Sequence, residues 1–317
     1  MKVFIVHAHH EPQSFNGALT RLAQQVLTEA GHEVQVSDLY AMKFDPVSDR
    51  RNFTTVKDAS FLNQQAEEQF ATDNHSFAPE IEAELQKLEW CDVLIFQFPL
   101  WWFGMPGVLK GWIDKVLAFG RVYGGGKWYE NGIGKGKRAL VSMTTGGPEA
   151  MYSGFGLNPK MTDLLIPIHH GVFWFNGFQP LPPFIAWSAR RVSQEQRTAY
   201  LEQYRNRLLT LDTVEPIYHF PTTEFDNSFM DPHQRFMVSW TRTTEPDDQF
   251  YTLVAAEREA LNHLKNTGKY LSGWIAEDRS RGWLMMRETS EAALREHLER
   301  LPLAPYLHFE ITVTAKE

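Results

Sequence analysis

Val93-Leu94-Ile95-Phe96 is apolar at four consecutive positions, so a strand built from it must be covered on both faces. Such a strand belongs at the centre of a parallel sheet. It runs directly into Gln97-Phe98-Pro99-Leu100-Trp101-Trp102-Phe103-Gly104-Met105-Pro106, and a helix is expected over residues 108–117. Upstream, Pro79 sits where a helix to about Trp90 would begin, at the first-turn position proline favours. Earlier still, Lys2-Val3-Phe4-Ile5-Val6 reads as a strand. It is followed by a helix over residues 16–30, with Leu19, Leu22, Ala23, Val26 and Leu27 on one face and Gly31 at its end. Residues 34–36 make a short strand ending at Asp38, and residues 40–77 form a long polar excursion without period.

Downstream, a glycine-rich loop from Gly120 to Gly136 leads into the buried strand Ala139-Leu140-Val141-Ser142-Met143. A helical segment over 162–173, a strand over 178–185 and a helix over 193–209 complete the alternation. Short apolar strands alternating with helices specify an α/β fold with a doubly wound parallel sheet. Beyond residues 212–231, read as a linker, the order becomes β-α-β-β-α-β. The closing strand alternates Leu307, Phe309, Ile311 and Val313 with His308, Glu310 and Thr312. That order is the ferredoxin-like α+β arrangement, whose open sheet face a second copy could cover. Two domains are therefore expected, residues 1–227 and 228–317. No nucleophile or acid–base pair can be read in the second; His308 and Glu310 read as solvated.

The composition agrees with this picture. Of 317 residues, 43% are hydrophobic and 22% charged, as in a core-forming globular chain. The net charge of −8 argues against nucleic acid as a partner. No apolar run reaches the roughly 18 residues of a membrane-spanning helix, and no transmembrane segment is expected. The single cysteine, Cys91, forms no intrachain disulfide and fits a reducing, cytoplasmic setting.

Ligands of an open parallel sheet bind beyond the carboxyl ends of its strands, so three loops carry the chemistry. After the first strand come His9-His10-Glu11-Pro12-Gln13-Ser14-Phe15-Asn16, opening a helix whose free N–H groups suit an anion; Ser14 or Asn16 could equally be its cap. After the central strand, two tryptophans and two phenylalanines within the six positions 98–103, pinned by Pro99 and Pro106, suit stacking on a planar ring, or a subunit contact. After the fourth strand, Thr144-Thr145-Gly146-Gly147 allows close backbone approach, though paired glycines also mark a plain turn; Tyr152 adds a hydroxyl nearby. Dinucleotide, P-loop, nucleophile-elbow and zinc-protease signatures are missing. The histidines His7, His9, His10, His169 and His170 lack ligand spacing, and no metal is expected.

Taken in order, these segments resemble the NAD(P)H:quinone oxidoreductase (DT-diaphorase-like) flavoproteins over residues 1–225. The matching words are Ala8-His9, Ser14-Phe15-Asn16, Ser37-Asp38-Leu39-Tyr40-Ala41-Met42, Phe96-Gln97-Phe98-Pro99-Leu100, Trp102-Phe103-Gly104, Lys110-Gly111-Trp112, Thr144-Thr145-Gly146-Gly147 and Met151-Tyr152-Ser153. The resemblance implies a flavodoxin-like fold, bound FAD rather than FMN, and a homodimer with its active sites at the interface. It implies hydride transfer from NAD(P)H to a quinone by a two-electron, ping-pong route. His9, Ser14, Phe15 and Asn16 would hold the pyrophosphate and ribityl part, and Arg197 the adenine-side phosphate. Pro99, Leu100, Trp101, Trp102 and Phe103 would line the flavin ring, and Thr144, Thr145, Gly146 and Gly147 its edge. Tyr152, Gly146 and Asn158 would form the catalytic edge. Trp102, Phe103, Tyr123, Gly125, Tyr152 and Asn158 would shape the substrate pocket. Two positions depart from the family: Asn158 stands where animal members have histidine, and Gly125 replaces a pocket tyrosine. The C-terminal segment resembles the dimeric αβ-barrel modules related to muconolactone isomerase. A competing expectation is a flavin-binding regulatory subunit of a potassium-efflux-type system.

Overall fold

The computed structural model describes residues 1–219 and 234–314. The chain divides into two units, Met1–Phe220 and Pro221–Glu317, and the expected boundary at 227/228 lies outside the described residues. In the first unit β1 (Lys2–His7), β2 (Glu33–Asp38), β3 (Val93–Pro99) and β4 (Arg138–Thr144) are joined by β5 (Gln179–Pro180) and β6 (Phe184–Ala186). The order is β2-β1-β3-β4-β5, with β6 also on β4, and every pairing is parallel. All seven residues of β3 are buried, as a central strand requires. The order reverses between β1 and β3, which opens a crevice at their carboxyl ends.

Helices cover both faces. α1 (Phe15–Glu29) buries Leu19, Ala23, Val26 and Leu27 on the odd-numbered side chains of β1, and shares that layer with Tyr200, Tyr204 and Leu208 of the last helix of the unit, Gln194–Leu208. Its C-terminus closes with Gly31 in the left-handed region and with His32 N–H donating to the Leu27 carbonyl, a Schellman ending. On the other face lie α2 (Gln64–Asn74), α3 (Pro79–Trp90), α4 (Gly107–Val116), α5 (Met161–Leu164) and α6 (Ile166–Ile168); α6 continues as a π-helical stretch, His169–Trp174. The Gln194–Leu208 helix is then α7.

Two sequence expectations are corrected. The excursion over 40–77 contains α2, whose buried side chains are Glu67, Glu68 and Ala71. Its inward face carries carboxylates, so an apolar period could not reveal it. Glu67 accepts the N–H groups of Lys57 and Asp58, and Glu68 accepts that of Phe119 at 2.6 Å. Burial pushes the Glu68 carboxyl above its ordinary range. The strand expected over 178–185 is two short pieces, because Pro182 and Pro183 between them have no N–H for the ladder.

The second unit is β7 (Gln234–Arg242), α8 (Asp248–Asn266), β8 (Tyr270–Ile275), β9 (Arg281–Glu288), α9 (Glu291–Glu299) and β10 (Leu307–Val313). Its sheet runs β10-β7-β9-β8, all antiparallel, which is the ferredoxin-like order. Phe236, Val238, Leu284, Met286, Leu294 and Leu298 form its core. α8 starts at Asp248 because the Asp247 side chain caps it, accepting the Phe250 N–H.

One buried charge braces the layer behind β1. The fully buried Glu84 accepts the Trp112 indole N–H at 2.8 Å, the Ser37 hydroxyl at 2.9 Å and Lys87 Nζ at 2.6 Å. Glu84→Leu strips two buried donors of their acceptor and should cost about 2–4 kcal/mol, read from equilibrium urea unfolding of the full chain. A loss under about 0.5 kcal/mol would show that those donors re-pair. A second buried group sets a pH dependence. Burial lowers the His169 imidazole to about 4, so it stays neutral in the fold. The unfolded chain takes up that proton from about pH 6.5 downward, so stability should fall as pH drops from about 6.5 to 4 and then level. The component amounts to about 3 kcal/mol, and His169→Gln should remove it from the pH profile of unfolding.

Candidate functional site

The three loops meet at the crevice through one side chain. Asn16, on the first turn of α1 and buried, donates its amide to Thr144 Oγ1 at 2.9 Å. Its carbonyl accepts Gln97 Nε2, also at 2.9 Å. Gln97 is fully buried on β3, and Leu100 N–H donates to the Thr144 carbonyl at 2.8 Å. The start of α1 and the ends of β3 and β4 are thus tied by a chain of buried polar contacts. Gln97 was not among the expected site residues. Its signal was present, a polar side chain in an otherwise apolar central strand.

The first loop closes tightly on α1. Ser14 is the helix cap, its hydroxyl accepting Gly17 N–H at 3.1 Å. His9 bonds back to Glu11 through Nδ1 and stacks on His10 at 4.7 Å between ring centroids. Both imidazoles lie against Trp101, at 5.9 and 5.7 Å, and Tyr40 edges onto His10 at 5.9 Å. Burial, then the neighbouring His10, lowers the His9 proton affinity.

The second loop holds backbone strain. Trp101 and Gly104 exchange two N–H···O bonds of 3.0 Å, and Trp102 and Phe103 between them have φ of 52° and 59°. Two left-handed residues in succession make a type I′ turn, which bulky side chains adopt at a cost of order 1–3 kcal/mol each. Trp102 is 98% exposed at its tip.

In the third loop, Thr145 Oγ1 donates to the Gly147 carbonyl, and Ser188 N–H returns to both. A Cβ on Gly146 would meet nothing within 4 Å, so this backbone faces open space. A Cβ on Gly147 would meet the Tyr152 ring at 3.3 Å and its hydroxyl at 3.6 Å. Tyr152 is buried against Trp187, 5.6 Å between centroids, and its hydroxyl donates to no acceptor among the described residues. Asn158 N–H bonds the Met151 carbonyl and folds the segment back beside Tyr152. Arg197 reaches the Ala189 carbonyl and Gln194 Oε1, each at 3.3 Å. Tyr123 lies apart, its hydroxyl near Gln65 and its ring on Phe119 and Phe175; Gly124, Gly125 and Gly126 follow with positive φ.

Among the described residues, the N–H groups of Phe15, Asn16, Trp102, Phe103, Gly146 and Gly147 have no protein acceptor. Six backbone donors, a hydroxyl and exposed aromatic faces at one sheet edge suit a large planar ligand with an acceptor-rich rim and an anionic tail. A flavin has that donor demand and shape. No three His, Cys, Asp or Glu side chains among the described residues are grouped to hold a metal ion. Cys91 is buried under β3, and burial pushes its thiol up to about 12, leaving it unreactive.

The flavodoxin-like fold family model matches residues 1–210, and that of muconolactone delta-isomerase matches residues 233–316. NAD(P)H dehydrogenase (quinone) 1 of Cavia porcellus is 40% identical over 229 residues, 72% of this chain and 83% of its own. Human ribosyldihydronicotinamide dehydrogenase (quinone) is 40% identical over 217 residues, 68% of this chain and 94% of its own. A solved structure from Klebsiella pneumoniae, provisionally named a quinone reductase, superposes with a TM-score of 0.67 at 40% identity, covering 68% of this chain and 87% of its own.

Proposed function

This chain belongs to the flavodoxin-like family of NAD(P)H:quinone dehydrogenases, and on that premise we propose that it is an FAD-dependent quinone reductase working by a two-electron, ping-pong route. The observation that carries the reading is the set of unpaired donors and aromatic faces on three turns locked together by Asn16. The chemistry a bound flavin supplies is hydride exchange, from NAD(P)H in one half-reaction and to a quinone in the other.

The chain's own residues bind, orient and shield. The N–H groups of Phe15 and Asn16 lie at the positive end of the α1 dipole and hold the anionic tail, with Arg197 supporting FAD over FMN. Trp101, Trp102, Phe103, Pro99 and Leu100 give the ring a rigid apolar wall, because their turn is pinned by its own backbone bonds. Gly146 and Gly147 present N–H groups to the ring edge, where charge grows during reduction. Tyr152 donates from its hydroxyl at the same edge; the apolar Trp187 ring behind it strengthens that donor by excluding water. Asn158 adds a neutral amide, so no proton is taken up there near neutral pH. Gly125, without a side chain, widens the acceptor pocket beside Tyr123.

Large apolar side chains stand exposed around this edge. Trp102 is joined by Phe155 at 101% and Leu157 at 95% exposure. Such a rim suits a second copy, which would bring Tyr123 to the partner's pocket. No helix among the described residues is long and apolar enough to cross a membrane.

The purified chain should be yellow, release FAD on denaturation, and oxidise NADPH or NADH with menadione as acceptor. A colourless chain that refuses added flavin overturns the cofactor reading; a yellow chain inert with every acceptor overturns the enzyme reading in favour of a regulatory subunit. Tyr152→Phe should slow flavin reduction in stopped flow about tenfold or more with little change in FAD affinity. An unchanged reduction rate would remove Tyr152 from the reacting edge.

A further inference from the structure

The second unit holds a cluster of ionisable groups that the quinone chemistry does not use. Glu288, at the end of β9, is 5% exposed, and both its oxygens are engaged. Oε1 accepts the Thr289 N–H at 2.8 Å and the Thr289 hydroxyl at 3.2 Å. Oε2 lies 3.0 Å from Lys269 Nζ and 3.1 Å from His297 Nε2, and those two nitrogens are themselves 2.8 Å apart. Two basic side chains from different elements are thus pinned side by side on one buried carboxylate.

They open on a cleft of about 400 Å³ between the C-terminal parts of α8 and α9. Ala260, Leu264 and Leu301 give it an apolar floor, while Lys269, His297, His263 and Arg300 stand around it. No carboxylate lines the cleft among the described residues, although the chain carries a net charge of −8. The negative ends of two helix dipoles account for a basic residue in each last turn. They do not account for Lys269, which lies beyond α8, or for the buried carboxylate that fixes it. Lys269 Nζ donates to Glu288 Oε2, and its only other polar partner among the described residues is His297 Nε2, so at least one of its three N–H bonds has no acceptor there. Arg300 pairs with Glu296 on the exposed side of α9, and its side chain is 70% exposed.

We propose that this cleft is a binding site for a small organic monoanion, an oxyanion on an apolar ring or short chain. The oxyanion meets Lys269 and Arg300 with His297 beside them, and the apolar body rests on Leu264 and Leu301. A single charge suits the site because Glu288 and Glu296 already offset part of the basic charge. Every residue that lines the site belongs to the second unit.

Isothermal titration of the full chain tests it, with benzoate as probe, benzamide as its neutral analogue and inorganic phosphate as the anion without an apolar body. Benzoate should bind once per chain, at least tenfold more tightly than benzamide or phosphate. Arg300→Gln and Lys269→Met should each weaken benzoate tenfold or more and leave NADPH oxidation with menadione unchanged. Lys269→Met removes a partner of a buried carboxylate, so its folding is checked by circular dichroism; Arg300→Gln changes an exposed side chain and carries the test if the first variant does not fold. Equal binding of benzoate and benzamide, tighter binding of phosphate, or undiminished benzoate binding by Arg300→Gln overturns the proposal. Loss of quinone reduction in the parent chain would count against the first unit's reading without touching this one.

Discussion

The carboxamide of Asn16 is the joint on which the flavodoxin-like unit turns. It is the point where α1, β3 and β4 share one buried pair of hydrogen bonds, to Gln97 and to Thr144. Each bond contributes only about 1 kcal/mol to stability, but an unmet partner in that interior costs about 1–3 kcal/mol. The arrangement is therefore close to all-or-none. Either the start of α1 and the ends of β3 and β4 sit in register, or several polar groups are stranded away from water. That coupling makes the turns after β1, β3 and β4 behave as one surface, and a planar cofactor needs its wall, its edge donors and its phosphate donors in fixed relation.

Strain appears where the surface faces outward. Trp102 and Phe103 occupy the left-handed region and Trp102 projects into solvent, an arrangement with no gain for the free chain. The reciprocal Trp101–Gly104 bonds hold it regardless. Ser188, also left-handed, lies behind the Gly146–Gly147 turn and bonds back to it. Three of the six left-handed non-glycine residues described in the first unit, Trp102, Phe103 and Ser188, lie at or behind the two turns that would touch the isoalloxazine. A pre-formed, rigid edge loses less freedom when it binds.

The ferredoxin-like unit uses buried charge differently. In the first unit Glu67, Glu68 and Glu84 accept donors from distant segments and close the fold around themselves. In the second, Glu288 fixes Lys269 and His297 at the wall of an open cleft. The same device, a buried carboxylate with both oxygens engaged, braces a core in one unit and arranges a basic surface in the other.

Much of this architecture was legible in the residues alone. The doubly apolar run at Val93–Phe96, the helix-spaced leucines of α1 and the alternating residues of β10 report burial directly, because side-chain period follows backbone geometry. The order of those elements then restricted the chain to two known arrangements, and the aromatic and glycine words marked the strand ends that matter. What sequence order could not supply was pairing between remote polar residues. The helix over Gln64–Asn74 buries acids, so its period was silent. Asn16 and Gln97 are 81 residues apart, and Lys269 and His297 are 28 apart. A buried hydrogen bond depends on where two atoms come to rest in space, and only the folded chain brings them within 3 Å of each other.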